Sequence, residues 1–174
     1  MKHALQTARF ELRPWEEADA LSLAKYANNI KVWNNLRDLF PHPYTFQDAK
    51  DYIACVRLQP IAQDFAIVTG GEAAGGISIL PQADVERFSA ELGYWLGEPF
   101  WNKGIMTAAV IRLADYLFEH TNIVRLFASV FGHNQASARV LEKAGFRFVG
   151  LHHKAAYKNN RFIDMRYYEL TSNL

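Results

Sequence analysis

The sequence is short of the residues that crosslink small folds. It has one cysteine, Cys55, so no disulfide can close within the chain and the disulfide-dependent secreted scaffolds are excluded. No Cys/His set has zinc spacing and no HExxH occurs, so no metal is expected. His152 and His153 are adjacent, and in an extended segment they point to opposite faces, a poor geometry for one ion. Long apolar runs are missing too: nothing approaches the ~20 residues that span a bilayer. The first residues, MKHALQTARFELRP, carry charge where a signal peptide is apolar. Charge of one sign is lacking, with 19 Lys and Arg against 18 Asp and Glu. That balance argues against a nucleic-acid binder, whose affinity rests on clustered cations. The Gly-Lys-Ser/Thr of a Walker loop and the Gly-x-Gly-x-x-Gly of a dinucleotide site are both absent. A soluble, cytoplasmic protein without membrane or nucleic-acid partners is expected.

What is present is the composition of a globular chain: 174 residues, half hydrophobic and 21% charged. A domain of this length buries roughly 70% of the surface its unfolded chain exposes. Repeats, linkers and low-complexity segments are absent, so residues 1–174 are expected to form a single domain. Phe10 to Arg13 reads as a strand stopped by Pro14. Ala20, Leu23, Ala24 and Ala27 recur at helical spacing and end at Asn28-Asn29. Residues 34–44, with two prolines, read as an ordered loop. Thr45 and Asp48 fit a capping box before a helix with Ala49, Tyr52, Ile53 and Val56 on its apolar face. Phe65 to Val68 and Gly76 to Leu80 flank the turn Thr69-Gly70-Gly71-Glu72 as a hairpin. Ala90 to Leu96 is a strand. A helix from Ile105 to His120 has Ile105, Ala109, Leu113 and Leu117 inward and Arg112, Asp115 and Glu119 outward. Val124 to Phe131 is a strand, and Gln135 to Ala144 is a helix ended by Gly145. Phe146 to Gly150, His153 to Tyr157 and Arg161 to Leu170 read as three strands, the last two joined at Asn159-Asn160. This is an α/β chain, with too many hairpins for a doubly wound parallel sheet.

Two segments carry chemistry. In GYWLGEPFWNKGIMT, residues 93–107, a strand enters a loop that ends at Gly104 and opens a helix. Helix-initial N–H groups there could receive a phosphate; the plain alternative is a glycine at a tight turn. In NQASARVLEKAGF, residues 134–146, Asn134 is a good N-cap for the N–H of Ser137. Ser137 lies at the edge of the stripe formed by Leu141 and Ala144, where a serine commonly bonds its own helix. Glu91 alternates onto the face of Gly93 and Trp95. Beside an indole its charged form would be disfavoured, making it a better base near neutrality; a solvated strand-end glutamate is the alternative. Asn35, Arg37, Asp38, His42 and Tyr44 sit on the proline-stiffened loop, either lining an acceptor pocket or capping the core. Cys55, with no nearby histidine, reads as a buried thiol and not a nucleophile. Asp164 has a cross-strand partner as its structural reading.

Together these segments resemble the acetyl-coenzyme A signature of the GCN5-related N-acetyltransferase (GNAT) superfamily, and the whole chain is similar to its RimJ/RimL-type branch. The likeness runs from TARFELRPWEEADA through ELGYWLGEPFWNKGIMTAA and NQASARVLEKAGF to RFIDMRYYEL. It implies a mixed α/β fold with a central, mostly antiparallel, splayed sheet flanked by helices. The family's pyrophosphate loop, Gln/Arg-x-x-Gly-x-Gly/Ala, falls on Trp101, Asn102, Lys103, Gly104, Ile105 and Met106. Trp101 and Met106 depart from it; Gly104 is kept, and Thr107 adds a hydroxyl. Many relatives carry a tyrosine as general acid where this chain has Leu141, and the serine that some RimL-like members use matches Ser137.

The resemblance implies acetyl-coenzyme A as cosubstrate and a primary amine as acceptor, either a protein α-amino group or a small molecule. Backbone groups of Trp95, Leu96 and Gly97 would pair with the pantetheine arm and hold the oxyanion. Glu91 would be the base, Ser137 would protonate the thiolate, and Asn134 would orient the cofactor arm or a water. Asn35, Arg37, His42 and Tyr44 would contact the acceptor. A catalytically idle acyl-coenzyme A-binding module is the alternative, supported by Trp101, Met106 and the missing tyrosine. The edge strand of the last hairpin leaves both monomer and homodimer open.

Overall fold

The computed structural model describes residues 5–59 and 63–172. Its elements run in the order β1 (Leu5–Gln6), β2 (Glu11–Pro14), α1 (Ala20–Ala27), α2 (Ile30–Trp33), α3 (Phe46–Arg57), β3 (Asp64–Thr69), β4 (Glu72–Pro81), β5 (Ser89–Leu96), α4 (Ile105–His120), β6 (Arg125–Phe131), α5 (Gln135–Lys143), β7 (Arg147–Lys158) and β8 (Arg161–Thr171), with short 3-10 turns between some of them. Two compact units emerge. One is Met1–Ser78 with Tyr94–Ile105, and the other is Ile79–Gly93 with Met106–Leu174. β4, β5 and α4 each contribute residues to both.

In the first unit β1, β2, β3 and β4 are neighbours in that order. The pairing is antiparallel, with Leu12 opposite Ile67 and Ala66 opposite Gly76. The two-residue turn at Gly70 (φ 61°) and Gly71 (φ 81°) joins β3 to β4. Both residues are left-handed, which matches the twist of the flanking strands. Phe65 to Ile67 and Ala73 to Ile77 are buried without interruption, so this pair is covered on both faces. α1 and α3 supply Leu23, Ala27, Ala49 and Ile53 to a core shared with Trp15, Tyr44, Ala66 and Ala73. α3 starts with the expected reciprocal cap, in which Thr45 Oγ1 accepts from the Asp48 N–H at 3.1 Å and the Asp48 carboxylate accepts from the Thr45 N–H at 2.7 Å. Asp19, nearly buried, receives both arms of the Arg13 guanidinium at 2.7 and 2.8 Å.

In the second unit the order is β5, β6, β8, β7. β5 and β6 are parallel, joined through α4, while β6–β8 and β8–β7 are antiparallel. β6 alternates: Leu126, Ala128 and Val130 are buried, and Arg125, Phe127 and Ser129 only half so. One face of this sheet is therefore packed and the other is open. α4 buries Ala109, Leu113 and Leu117 and exposes Arg112, Asp115 and Glu119, as its spacing predicts. Gly145 (φ 90°) ends the α5 segment, and Asn159 (φ 52°) and Asn160 (φ 56°) form the β7–β8 turn.

The structure corrects several expectations. Phe146 to Gly150 and His153 to Tyr157 are one strand, β7, with register shifts at Phe148/Gly150 and His152/Ala156. At the second shift Lys154 is left-handed (φ 53°), and its N–H donates to Asp164 Oδ1 at 2.8 Å. That donor, with the His153 ring at 3.1 Å, holds the Asp164 carboxyl below its usual range. Pro14 closes β2 from inside, opposite Phe65. β1 and the four-residue α2 have no counterpart in the sequence reading. Cys55 is exposed, because the inward face of α3 is set by Ala49, Tyr52, Ile53 and Val56 and position 55 falls off it.

Candidate active site

β5 carries the candidate base Glu91 and is followed by the loop that opens α4. In the second unit its register sets Ala90 against Leu126 and Glu91 against Phe127 of β6. Ala90 and Leu92 point into the core, so Glu91 stands on the open face, half-buried. Its carboxylate accepts a hydrogen bond from Ser129 Oγ at 3.3 Å. On the same face Ser129 lies opposite Tyr167 of β8, whose ring packs against His152 with centroids 4.2 Å apart. Ser129 is a partner of this candidate residue that sequence reasoning missed. Nothing local marks it; only the parallel pairing of β5 with β6 brings its hydroxyl to Glu91.

The N-terminus of α5 is built as its sequence predicts. Asn134 Oδ1 accepts from the Ser137 N–H at 3.1 Å, and the Asn134 N–H donates to the Phe131 carbonyl at 2.8 Å. Ser137 is half-buried at the edge of the stripe that buries Ala138 and Leu141. The side chain of Asn134 thus has a structural task, capping the helix, whatever else it does.

The far end of β5 belongs to the first unit. Trp95 is part of that unit's core margin, edge-on to Phe40 at 5.7 Å. Gly75 permits the close approach of β4 there, since a Cβ on it would overlap the Trp95 carbonyl oxygen. The Gly97 N–H donates to the Ala74 carbonyl at 2.8 Å, and the Leu96 carbonyl accepts from the Trp101 indole N–H at 2.6 Å. Two of the backbone groups expected to meet a pantetheine arm therefore have partners within their own unit. Trp101, one departure from the family loop, ties that loop to the end of its strand. Met106, the other, is buried at 7% exposure, so its bulk is spent on packing. Asn102 (φ 59°) and Gly104 (φ 74°) are both left-handed, and nothing lies within 4 Å of where a Gly104 Cβ would stand. Asn102, Lys103 and Gly104 are exposed, Ile105 is buried and Thr107 is half-buried. Arg9 donates to the Lys103 carbonyl at 3.4 Å.

The proposed acceptor residues all lie in the first unit. Arg37 and His42 are exposed, and the His42 ring sits 5.7 Å from that of Trp33. Asn35 donates from its side chain to the Lys31 carbonyl at 2.9 Å. Tyr44 differs: it is 5% exposed, packed on Phe40, and burial pushes its phenol above the ordinary tyrosine range. It belongs to the core. Among the described residues no cluster of His, Cys, Asp or Glu could hold a metal, and no helix is long and apolar enough to cross a membrane.

The architecture has close structural relatives. RimL, the ribosomal L7/L12 alpha-N-protein acetyltransferase, solved in complex with coenzyme A, superposes with a TM-score of 0.85 over 97% of this chain and 98% of its own, at 23% identity. The fold is that of the acetyltransferases. A family model for the acetyltransferase (GNAT) domain matches residues 9–147, and the chain belongs to that family of acetyl-coenzyme A-dependent N-acetyltransferases. Among curated relatives, the uncharacterized N-acetyltransferase p20 of Bacillus licheniformis is 30% identical over 171 residues, covering 95% of this chain and 94% of that one. The putative ribosomal N-acetyltransferase YdaF of Bacillus subtilis is 36% identical over 100 residues, 58% of this chain and 54% of that protein.

Proposed function

We propose that the chain transfers the acetyl group of acetyl-coenzyme A to a primary amine by direct attack, as a RimJ/RimL-type enzyme acting in the cytoplasm, and that residues 1–174 form one catalytic domain. The family match supports the domain reading because residues 9–147 run through segments of both compact units. The observation that carries the function is Glu91, a half-buried carboxylate on the open face of the strand that leads directly into the left-handed loop at Gly104. Main-chain donors of residues 102–107 receive the pyrophosphate, which needs no side chain from position 101 or 106. Trp95, Leu96 and Gly97 border the cofactor arm.

In the reaction the amine nitrogen forms a bond to the acetyl carbonyl carbon and the carbon–sulfur bond breaks. Glu91 takes the proton the amine sheds, Ser137 gives a proton to the departing thiolate, and Asn134 holds the helix turn that presents Ser137. The products are an acetamide and free coenzyme A. A protein α-amino group is the favoured acceptor, since RimL and YdaF carry names of ribosomal acetyltransferases; Asn35, Arg37 and His42 are its contacts. The test is thiol release from acetyl-coenzyme A with two acceptor sets, peptides with free amino termini and small amines such as spermidine. Faster release with peptides supports the full reading. Release with small amines alone moves the acceptor to that class. Cofactor binding without release from either set overturns catalysis in favour of an idle binding module.

A further inference from the structure

Resting on the reading of Glu91 as base, we infer that Ser129 is a positioning residue for the acetyl transfer, anchoring the Glu91 carboxylate through its hydroxyl. Glutamate reaches its carboxylate through three torsions, so the place of its oxygens depends on what holds the end of the side chain. A base works only when one oxygen lies within hydrogen-bond reach of the proton it takes. A misplacement of about 1 Å can cost roughly 100-fold in rate. Ser129 answers that need. Its Oγ donates to Oε1 of Glu91 at 3.3 Å, and an anchor on one oxygen fixes the direction of the second.

Strand pairing makes the contact a built one. Parallel register sets Glu91 beside Phe127, and Ser129 follows two residues on, on the same face. Across from Ser129 stands Tyr167, backed by His152, so bulky rings flank the serine on the β8 side. Position 129 is also the one place on β6 where a hydroxyl interrupts the otherwise bulky row Arg125, Phe127 and Phe131.

The experiment is a double-mutant cycle read by thiol release, using acetyl-coenzyme A with an alanine-initiated peptide and, separately, spermidine. Ser129→Val and Ser129→Thr are compared because they have nearly the same shape and differ in the hydroxyl. Ser129→Val is expected to lower kcat by about five-fold with an unchanged KM for acetyl-coenzyme A, the size of effect one lost hydrogen bond gives. Ser129→Thr is expected to stay within about two-fold of the native protein. In a Glu91→Gln background Ser129→Val should change the residual rate by less than about two-fold, because a group acting through Glu91 has nothing left to act on. Thermal melting checks that each variant folds, and Ser129→Ala replaces Ser129→Val if the latter does not. An equal loss from Ser129→Val in both backgrounds would make the role structural and overturn the inference. A native rate in Ser129→Val beside an impaired Glu91→Gln overturns the inference and leaves the base in place. A native rate in Glu91→Gln, or no turnover by the native protein, overturns the base reading and this inference with it.

Discussion

The β3–β4 pair and the β5–β6–β8 sheet are built from similar strands and do different work. Phe65 to Ile67 and Ala73 to Ile77 are buried continuously, whereas β6 alternates from Arg125 to Val130. A strand covered on both faces has no room for a group that must meet a ligand; it can offer only its backbone. A strand covered on one face has a second face where a carboxylate and a hydroxyl keep partners and access. Hence Glu91, Ser129 and Tyr167 stand on the open sheet, with His152 of β7 beside them, while Gly75, which admits the Trp95 backbone, and Gly76, which makes room for the Trp95 and Trp15 rings, stand in the closed one.

The contrast breaks most visibly at Gly75. Gly75→Ala forces a methyl into the Trp95 carbonyl and the Leu96 backbone, and is expected to cost about 3 kcal/mol, measured by denaturant unfolding. Glu91→Gln tests the open face directly. Turnover should fall roughly 100-fold at neutral pH, the usual weight of one acid–base group, with cofactor affinity kept. A lysine-like amine titrates near ~10.4 and an α-amino group near ~7.7–8.0. The loss should therefore shrink as pH rises and the acceptor deprotonates unaided, which single-turnover rates against pH will report. A loss equal at every pH would assign Glu91 to positioning.

Ser137→Ala is expected to lower kcat by about ten-fold with little change in acetyl-coenzyme A affinity, the pattern of a contact made in the transition state. Full activity would reduce Ser137 to its place in the capped turn. Gly104→Val carries a smaller expected effect, about five-fold weaker acetyl-coenzyme A binding by calorimetry. The space beside Gly104 is open, so the penalty comes from a β-branched residue at φ 74° and from branches entering the ligand's approach. Unchanged affinity would remove this loop from the site. Gly150→Ala sharpens the comparison from the other end: on β7, which borders the open sheet, nothing lies within 4 Å of where its Cβ would stand, and less than about 0.5 kcal/mol should separate it from the native protein.

Much of this was legible in the chain. Local signals carried what local physics decides: the caps at Thr45 and Asn134, the glycine and asparagine turns, and the limits of α4, whose apolar positions repeat over sixteen residues. Short elements escaped, since β1 and α2 span two and four residues and present too few positions for a period to show. The sequence reads β7 as two strands, Phe146 to Gly150 and His153 to Tyr157, and only pairing with β8 joins them across two register shifts. Residue type alone places Cys55 in the interior, while helix phase puts it outside.

By itself the sequence determined the α/β class, the caps that open α3 and α5, and the loop whose Gly104 carries the family resemblance, because each depends on neighbours a few positions apart. Tertiary structure decided the use of what the sequence supplied. It turned Trp101 into a tie for the Leu96 carbonyl, buried Met106 and Tyr44 in packing, and gave Glu91 its serine. Those outcomes join residues separated by five positions in one case and thirty-eight in another. Only strand register and burial, which are properties of the folded sheet, determine which such groups meet.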